Sequence, residues 1–453
     1  MPAATETPVT DLTVYSDPAL VAGKAVLLHD KTTGDAISFD AEKLVAVAKD
    51  LSMFTVDGTS LILRETANCY VVRTAGVYKF PLVYGNGIKR GVANTAAYTR
   101  QGSTYTADFV NHLGNTITSP YIEKNANCQP ATAGLLWQTG QSLITSVSLV
   151  EGGDCKYIQF TVGSVPATNG LAVLFVKDSG GNIMWSWTIW LTSDALGPEN
   201  FTNHTDVAYK LMSENLGTIW NEARTRCCNP HYQWGRKDPM APPASYSSSS
   251  QMTLYDINNA VYTGFGVLGA DSDQLSTKTV ANAIKNPNLF FTRYDQTSHN
   301  WNNLTWFNNF WNAAITGGGD NTGDNQDSAV KTIYDPCPVG FMLPAGRAFT
   351  GFTTTGSNSS DSTQFNVVGS WANGWSFMRN ASDAQGNYFA ASGYRDGGSG
   401  ALTDVSSLGY YWSFAPISQA NARYLLFFSG AVGPLYNSRR SYGFSVRPCR
   451  ESD

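Results

Sequence analysis

The sequence predicts a mostly β protein with an immunoglobulin-like β-sandwich in the middle of the chain and a loop-rich domain at its C-terminal end. In the middle of the chain, apolar and polar residues alternate with a period of two, and Gly- and Asn-rich turns separate the alternating runs. Such runs predict short strands of a sandwich. Charged residues make up only 14% of the chain and aromatic residues 12%, whereas about a quarter of the residues in an average soluble domain are charged. This composition favours a β-rich extracellular or virion protein with a recognition surface of small polar and aromatic side chains.

The length of 453 residues predicts more than one domain, because a single hydrophobic core rarely grows beyond about 300 residues. Changes in composition divide the chain into residues 1–64, 65–197 and 198–453. We expect an attachment or oligomerisation unit, a β-sandwich spacer and a ligand-binding domain, in that order.

The first unit is predicted to be a strand over Ala25–His29, a second strand over Ala36–Phe39, and a helix over Asp40–Leu51 that Asp40 could cap. A core of this size is marginal by itself. We therefore expect this unit to gain its stability from partners. The first twelve residues lack the basic and apolar regions of a secretory signal, so none is expected there.

The middle unit contains six predicted strands: Cys69–Arg73, Val77–Phe80, Ile144–Leu149, Tyr157–Val162, Gly170–Val176 and Met184–Leu191. The last strand carries Trp185, Trp187 and Trp190, which we expect to pack in the core or between domains.

The last unit is rich in loops, and eight of the 12 tryptophans lie beyond residue 197. Near its end, residues 423–428 alternate as a strand, with Arg423, Leu425 and Phe427 on one face and Tyr424, Leu426 and Phe428 on the other. An irregular connection is predicted over residues 429–442, because it contains Gly430, Gly433, Pro434, Asn437 and Ser438. A second short strand is expected over residues 444–447.

Several classes of function are not expected. The net charge of −5 offers no basic patch for nucleic acid. No run of about 18 apolar residues is present, so no membrane insertion is predicted. The motifs of serine hydrolases, zinc proteases and P-loop proteins are absent, and the five histidines lack metal-ligand spacing. The chain is therefore predicted not to be an enzyme.

The seven cysteines form no CxxC pair, and their odd number leaves at least one free thiol. Cys227 and Cys228 are adjacent and are expected to pack in the interior. Cys337 and Cys449 could lie close in space and would be bonded only in an oxidising environment.

One acidic loop contains a candidate metal site. Asp320, Thr322 and Asp324 alternate as calcium ligands would, but the Gly and Glu positions of an EF-hand loop are missing. A solvated loop is predicted, with Ca²⁺ at Asp320 and Asp324 as the alternative, and no other cofactor or metal is expected.

Five motifs follow one another in the last unit: Met212–Gly217 (MSENLG), Tyr232–Pro239 (YQWGRKDP), Tyr334–Pro344 (YDPCPVGFMLP), Tyr411–Ser413 (YWS) and Gly443–Pro448 (GFSVRP). Their order resembles the C-type-lectin-like domain of surface and phage proteins from gut anaerobes, a fold shared with formylglycine-generating enzymes. The resemblance covers residues 198–453 and implies that these residues form an α+β domain of this fold.

Residues 409–450 also resemble the variable region of proteins that are diversified by retroelements. The resemblance implies that the following positions vary on a ligand-binding surface: Phe414, Ile417, Phe428, Ala431, Gly433, Tyr436, Asn437, Ser438 and Tyr442. In that family, diversified positions hold residues encoded by NNY codons. Residues 420–446 contain no Lys, Glu, Gln, Met or Trp, the types that such codons exclude.

Together these patterns predict a phage tail receptor-binding protein, located on the virion, that contacts a host-surface protein or glycan. The buried framework is predicted to contain Trp412, Leu425, Phe427, Phe444 and Val446. The contact surface is predicted to contain Tyr424, Leu426, Phe428, Tyr436, Asn437, Ser438 and Tyr442. A homotrimer is expected to multiply weak single sites, and the first unit is expected to bind other tail proteins. The alternatives are a bacterial cell-surface or pilus-tip adhesin and a formylglycine-generating-type oxidase.

Overall fold

Short strands make up most of the regular secondary structure in the described residues. A computed structural model describes residues 27–29, 36–38, 48–102, 104–269, 276–294, 300–304, 306–319 and 326–452. Within these ranges one α-helix is present, α1 (Val280–Lys285), and the Thr279 side chain caps it by accepting from the N–H of Asn282. Short 3₁₀ turns cover Leu51–Met53, Thr95–Ala97, Ile122–Lys124, Gln326–Ser328, Thr350–Phe352 and Ser362–Gln364.

The strands of the first two predicted units are β1 (Leu27–His29), β2 (Ala36–Ser38), β3 (Lys49–Asp50), β4 (Cys69–Val72), β5 (Gly76–Pro81), β6 (Ile88–Lys89), β7 (Val92–Ala93), β8 (Thr132–Gln138), β9 (Ile144–Val150), β10 (Tyr157–Val162), β11 (Gly170–Lys177) and β12 (Ile183–Leu191).

The remaining strands are β13 (Pro198–Thr202), β14 (Ala208–Met212), β15 (Ile219–Trp220), β16 (Cys227–Cys228), β17 (Tyr232–Gln233), β18 (Gly266–Leu268), β19 (Leu289–Phe291), β20 (Phe341–Met342), β21 (Val367–Val368), β22 (Gly374–Phe377), β23 (Asn387–Ala390), β24 (Tyr394–Arg395), β25 (Leu402–Thr403), β26 (Gly409–Pro416), β27 (Asn421–Phe428), β28 (Ala431–Arg439), β29 (Gly443–Phe444) and β30 (Cys449–Arg450).

Two four-stranded sheets form the middle of the molecule, in the orders β3-β5-β10-β9 and β4-β12-β11-β8. Their inner faces meet through aromatic rings, since the Phe80 ring lies 4.8 Å from that of Tyr70 and 5.2 Å from that of Trp187. All six strands predicted in this region are present, and β8 is an additional one. The three tryptophans of β12 are fully buried, as expected.

The first unit agrees with the predicted hairpin, because β1 and β2 pair antiparallel with Leu27 opposite Ser38. The predicted helix over residues 40–51 is wrong at its C-terminal end. There β3 pairs in parallel with β5, and Asp50 caps the 3₁₀ turn by accepting from the N–H of Ser52. Residues 40–47 lie outside the described part of the chain.

The middle sheets pack directly against the C-terminal part. The Asn68 amide donates to the carbonyls of Ile333 and Asp335 over 2.6 and 2.8 Å, and the Trp185 ring stacks on Tyr334 with centroids 5.9 Å apart. Residues from both regions belong to one hydrophobic core. The predicted spacer therefore shares a buried interface with the part of the chain that follows it.

The sheets of the C-terminal part contain only two to four strands. Its three- and four-stranded sheets have the orders β13-β14-β30-β20, β17-β29-β24-β25, β21-β22-β23 and β26-β27-β28. Because these sheets are small, much of the buried backbone lies in loops and cannot complete a ladder. Four arginines are at most 3% exposed and supply donors to this backbone: Arg236, Arg395, Arg440 and Arg447.

Arg447 shows how these side chains work. Its guanidinium donates to the carbonyls of Met212, Ser213 and Tyr388 and lies 3.8 Å from the centre of the Phe389 ring. Burial lowers the pKa of Arg447 to about 10, so the side chain stays charged at neutral pH. Each bond is therefore charge-assisted, and the ring face partly replaces the lost hydration.

Replacing Arg447 by alanine should lower the free energy of unfolding by at least about 3 kcal/mol, because several buried carbonyls lose their donor together. Arg450 is exposed, so Arg450→Ala is the matched control and should change stability by less than about 0.5 kcal/mol. Urea unfolding followed by tryptophan fluorescence measures both. Equal losses for the two variants would contradict a special role for the buried guanidinium.

Candidate functional site

The predicted variable region forms a three-stranded antiparallel sheet, β26-β27-β28. The irregular connection predicted over residues 429–442 is wrong, since β28 occupies residues 431–439 and only Ser429–Gly430 turns the chain. The register shifts between Tyr424, opposite Tyr436, and Leu426, opposite Gly433, which leaves one extra residue in β28. This bulge contains Pro434, whose missing N–H would break a regular ladder.

Register places most of the predicted contact residues on one face of this sheet. Directly paired residues in an antiparallel sheet point to the same side. The pairs Tyr424–Tyr436, Leu426–Gly433, Phe428–Ala431 and Ala422–Ser438 therefore share a face with Tyr410, which is opposite Leu426. We call this side of the sheet the tyrosine face.

Five tyrosines gather at the tyrosine face and the strand beside it; we call them the tyrosine cluster: Tyr394, Tyr410, Tyr424, Tyr436 and Tyr442. The Tyr410 and Tyr424 rings stack with centroids 5.6 Å apart and planes 18° apart. Tyr394 lies 4.8 Å from Tyr410 and 5.5 Å from Tyr442, and Tyr436 lies 6.1 Å from Tyr424. The rings thus support one another as a continuous aromatic surface.

Phe444 lies beneath the tyrosine cluster and is fully buried. Its ring is 4.8 Å from Tyr410, 4.9 Å from Tyr424 and 4.1 Å from Trp412. Tyr232 of β17 pairs with Phe444 and accepts, through its carbonyl, the indole N–H of Trp412 at 2.9 Å. One buried ring therefore positions several rings of the tyrosine cluster.

The predicted framework is confirmed, because its five members are at most 1% exposed: Trp412, Leu425, Phe427, Phe444 and Val446. The eleven predicted surface positions divide into exposed, half-buried and buried ones. Tyr436 is 37% exposed and Asn437 is also exposed. Six are half-buried: Ile417, Leu426, Phe428, Ala431, Ser438 and Tyr442.

Three predicted surface positions are wrong: Phe414, Gly433 and Tyr424. Phe414 is completely buried, and its N–H donates to the Pro344 carbonyl over 3.0 Å, so no ligand can reach its ring in this conformation. Gly433 is covered by the Tyr436 ring, and a Cβ at this position would run into that ring. Tyr424 is only 8% exposed and belongs to the hydrophobic core. Asn437 is opposite Arg423 and so points away from the tyrosine face.

The sequence reasoning missed Tyr394 and Tyr410. Tyr410 lies two residues before Trp412, and this spacing could have indicated a shared strand face. Tyr394 comes from β24, which joins the cluster through the pairing of Arg395 with Gly443 of β29. Nothing in the local sequence around Tyr394 indicates this contact.

The cysteines have the surroundings of packing residues. All seven are buried and unbonded, including Cys337 and Cys449, which form no disulfide. Burial raises the pKa of Cys228 to about 12 and raises the pKa of Cys227 further. A reactive cysteine needs the opposite shift, because the thiolate is the nucleophile.

Within the described residues, no group of three or more His, Cys, Asp or Glu side chains is arranged to hold a metal ion. Asp320 and Asp324, the predicted calcium alternative, lie outside those residues. Among the described helices, none combines the length and apolar character required to cross a membrane. Comparisons with family models, curated proteins and solved structures find no match for this chain.

Phe444→Ala should lower the free energy of unfolding by about 3–5 kcal/mol, the usual range for removing a buried phenylalanine. Tyr436→Ala should cost less than about 1 kcal/mol, because its ring is partly in solvent. Chemical unfolding of both variants and of the unmodified chain tests whether Phe444 is a supporting core residue and Tyr436 a surface residue. A Tyr436→Ala loss as large as that of Phe444→Ala would make Tyr436 a core residue.

Proposed function

We propose that this chain is a phage receptor-binding protein that holds a host-surface receptor on its tyrosine face. One observation carries the proposal. Tyr436 lies at the surface, and Tyr394, Tyr410 and Tyr442 are half-buried beside it, above the fully buried rings of Trp412 and Phe444.

Tyrosine is well suited to such a surface. It supplies a large contact area with few rotatable bonds, and its hydroxyl forms hydrogen bonds at the rim of a contact. In the tyrosine cluster the rings already stack on one another, so little side-chain freedom is lost on binding. Ala431 and Ser438 lie on the same face and leave room for a partner.

The same geometry suits diversification by a retroelement. Side chains at Leu426, Phe428, Tyr436 and Ser438 leave the sheet on the side away from Leu425 and Phe427, which are buried. Substitution of Leu426, Phe428, Tyr436 or Ser438 therefore disturbs the core less than substitution of Leu425 or Phe427. Phe414 and Gly433 do not fit this scheme, because both are buried.

The finer architecture belongs to the same proposal. The two packed sheets over residues 49–191 would be the immunoglobulin-like unit, and residues 198–453 the C-type-lectin-like domain. The N-terminal hairpin would attach the chain to other tail proteins and support a trimer, so that several weak sites act together. We further propose that the protein acts by binding alone, without catalysis.

An adhesin on a bacterial surface would use the same face, and the genes beside this one distinguish the two proposals. A phage protein lies among tail genes, whereas an adhesin lies among secretion or pilus genes. The oxidase alternative gains no support from Cys227 and Cys228, since burial raises the pKa of both thiols.

Tyr436→Ala in the full chain should weaken binding to intact host cells roughly 30-fold, as expected for a tyrosine that contributes about 2 kcal/mol. Tyr246, a half-buried tyrosine in the loop over residues 242–251, provides the matched control, and Tyr246→Ala should bind as the unmodified chain does. Flow cytometry with a labelled chain measures both. Unchanged binding by Tyr436→Ala would exclude the tyrosine face as the receptor site.

The second prediction concerns the genome. A reverse-transcriptase gene should lie near the gene for this chain, together with a near-copy of the codons for residues 409–450 that is rich in Asn codons. Sequencing the flanking DNA tests this. Absence of both elements would remove diversification from the proposal while leaving receptor binding open to the cell-binding experiment.

A further inference from the structure

A cleft of about 240 Å³ opens at one end of the tyrosine cluster. Tyr442 belongs to both features. The other lining residues come from three separate segments: Arg293, Asp396, Gly397, Gly398, Arg439 and Ser441. The volume lies below the roughly 300–1,000 Å³ of pockets for drug-sized molecules, so the cleft suits a group about the size of one sugar ring.

Two guanidinium groups line the cleft without a carboxylate partner among the described residues. Arg293 and Arg439 take part in no ion pair there, and the Nε of Arg293 is buried without an acceptor. The Tyr442 pKa is raised, first by burial and then by Asp396, whereas Arg439 and Arg293 act in the opposite direction. All three charged groups line the same cleft as Tyr442.

The walls of the cleft are held in place without a ligand. The N–H of Arg293 donates to the Gly397 carbonyl over 2.7 Å, and Gly397 lies so close to the Ser441 hydroxyl that a Cβ would collide with it. Only glycine allows this approach. The loop that carries Asp396 closes on itself, since the N–H of Gly400 donates to the Asp396 carbonyl over 2.7 Å.

Asp396 restricts what the two arginines can hold. Its Oδ1 accepts from the N–H groups of Gly398 and Ser399, at 3.0 and 2.9 Å, and from the Ser399 hydroxyl. Its Oδ2 has no hydrogen-bond partner among the described residues and can accept from a ligand hydroxyl. Two guanidinium groups and one carboxylate among the described lining residues leave a net positive charge that attracts an anion. The repulsion from Asp396 is larger for a ligand with two negative charges than for a ligand with one.

We propose that this cleft binds a carboxylate-bearing sugar residue. The carboxylate would lie between Arg293 and Arg439 in charge-assisted hydrogen bonds. A sugar hydroxyl would donate to Oδ2 of Asp396, and the apolar face of the sugar would lie on the Tyr442 ring. A phosphate group offers the same anionic oxygens, but its second negative charge would be repelled by Asp396.

This inference rests on the proposed function for one step, that the sugar belongs to a host surface. It identifies the receptor, or the part of the receptor next to the tyrosine cluster, as an acidic glycan. The remainder of the receptor would still contact Tyr436 and its neighbours.

Titration of the full chain with methyl glucuronide, followed by ligand-observed NMR, tests the inference without host cells. Glucose is the neutral probe and glucose 6-phosphate the phosphate probe. Glucuronide should bind more tightly than both. Arg293→Gln and Arg439→Gln should each raise its Kd at least about tenfold, the effect of losing one charged partner. The exposed Arg450→Gln should leave the Kd unchanged, and Arg439→Lys should retain part of the affinity because it keeps the charge.

Asp396→Asn separates the two anions. The amide keeps an oxygen for the loop but removes the negative charge, so glucose 6-phosphate should gain affinity relative to glucuronide. Three results would overturn the inference. They are no binding of glucuronide, a Kd for glucuronide that Arg293→Gln and Arg439→Gln leave unchanged, and tighter binding of glucose 6-phosphate than of glucuronide to the unmodified chain.

Failure of the inference and failure of the proposed function give different results. Glucuronide binding together with undiminished cell binding by Tyr436→Ala would leave the cleft assignment standing and remove the receptor role of the tyrosine face. Loss of cell binding by Tyr436→Ala without glucuronide binding would remove the cleft assignment alone.

Discussion

Hydrogen bonds from buried arginines to backbone carbonyls are the interaction on which the C-terminal part depends. Loops leave buried carbonyls without the partners that a sheet or helix would supply, and each unpaired group costs about 1–3 kcal/mol. A guanidinium offers five donors in a fixed plane and tolerates stacking on aromatic rings. The aromatic residues and the buried arginines therefore depend on each other. The arginines supply the donors that the loop carbonyls require, and the aromatic rings stabilise the buried guanidinium charges.

Arg440 connects this arrangement to the candidate site. Its guanidinium donates to Asn308 and to the carbonyls of Ser418 and Asn421, and it lies 4.3 Å from the Trp234 ring. Ser418 and Asn421 border the turn between β26 and β27. The Arg440 guanidinium therefore fixes that turn against the core. Arg439 and Tyr442, on either side, are consequently presented at a fixed position beside the cleft.

The shared core between the middle sheets and the C-terminal part has a consequence for binding. Lys237 donates to Ser186 and Asp238 at this boundary, and all three are buried. Buried polar contacts of this kind have few alternative arrangements, because any other docking would leave a charge unpaired. The tyrosine face is therefore held at a defined orientation to the middle sheets, which suits a protein proposed to present a receptor site at the end of a larger assembly.

By itself, the sequence determined the β class, six of the eight strands of the middle sheets and the buried framework around Trp412, Leu425 and Phe427. These features follow from local alternation, since strand period and apolar content act over a few neighbouring residues. Tertiary structure alone decided the rest. Phe414 is buried because its ring packs in the hydrophobic core, residues 431–439 form a strand because a bulge accommodates Pro434, and Tyr394 reaches the cluster because β24 pairs with β29. Arg293 and Arg439 face the same cleft although 146 positions separate them in the chain. Such contacts depend on the path of the whole backbone, and no local pattern contains that information.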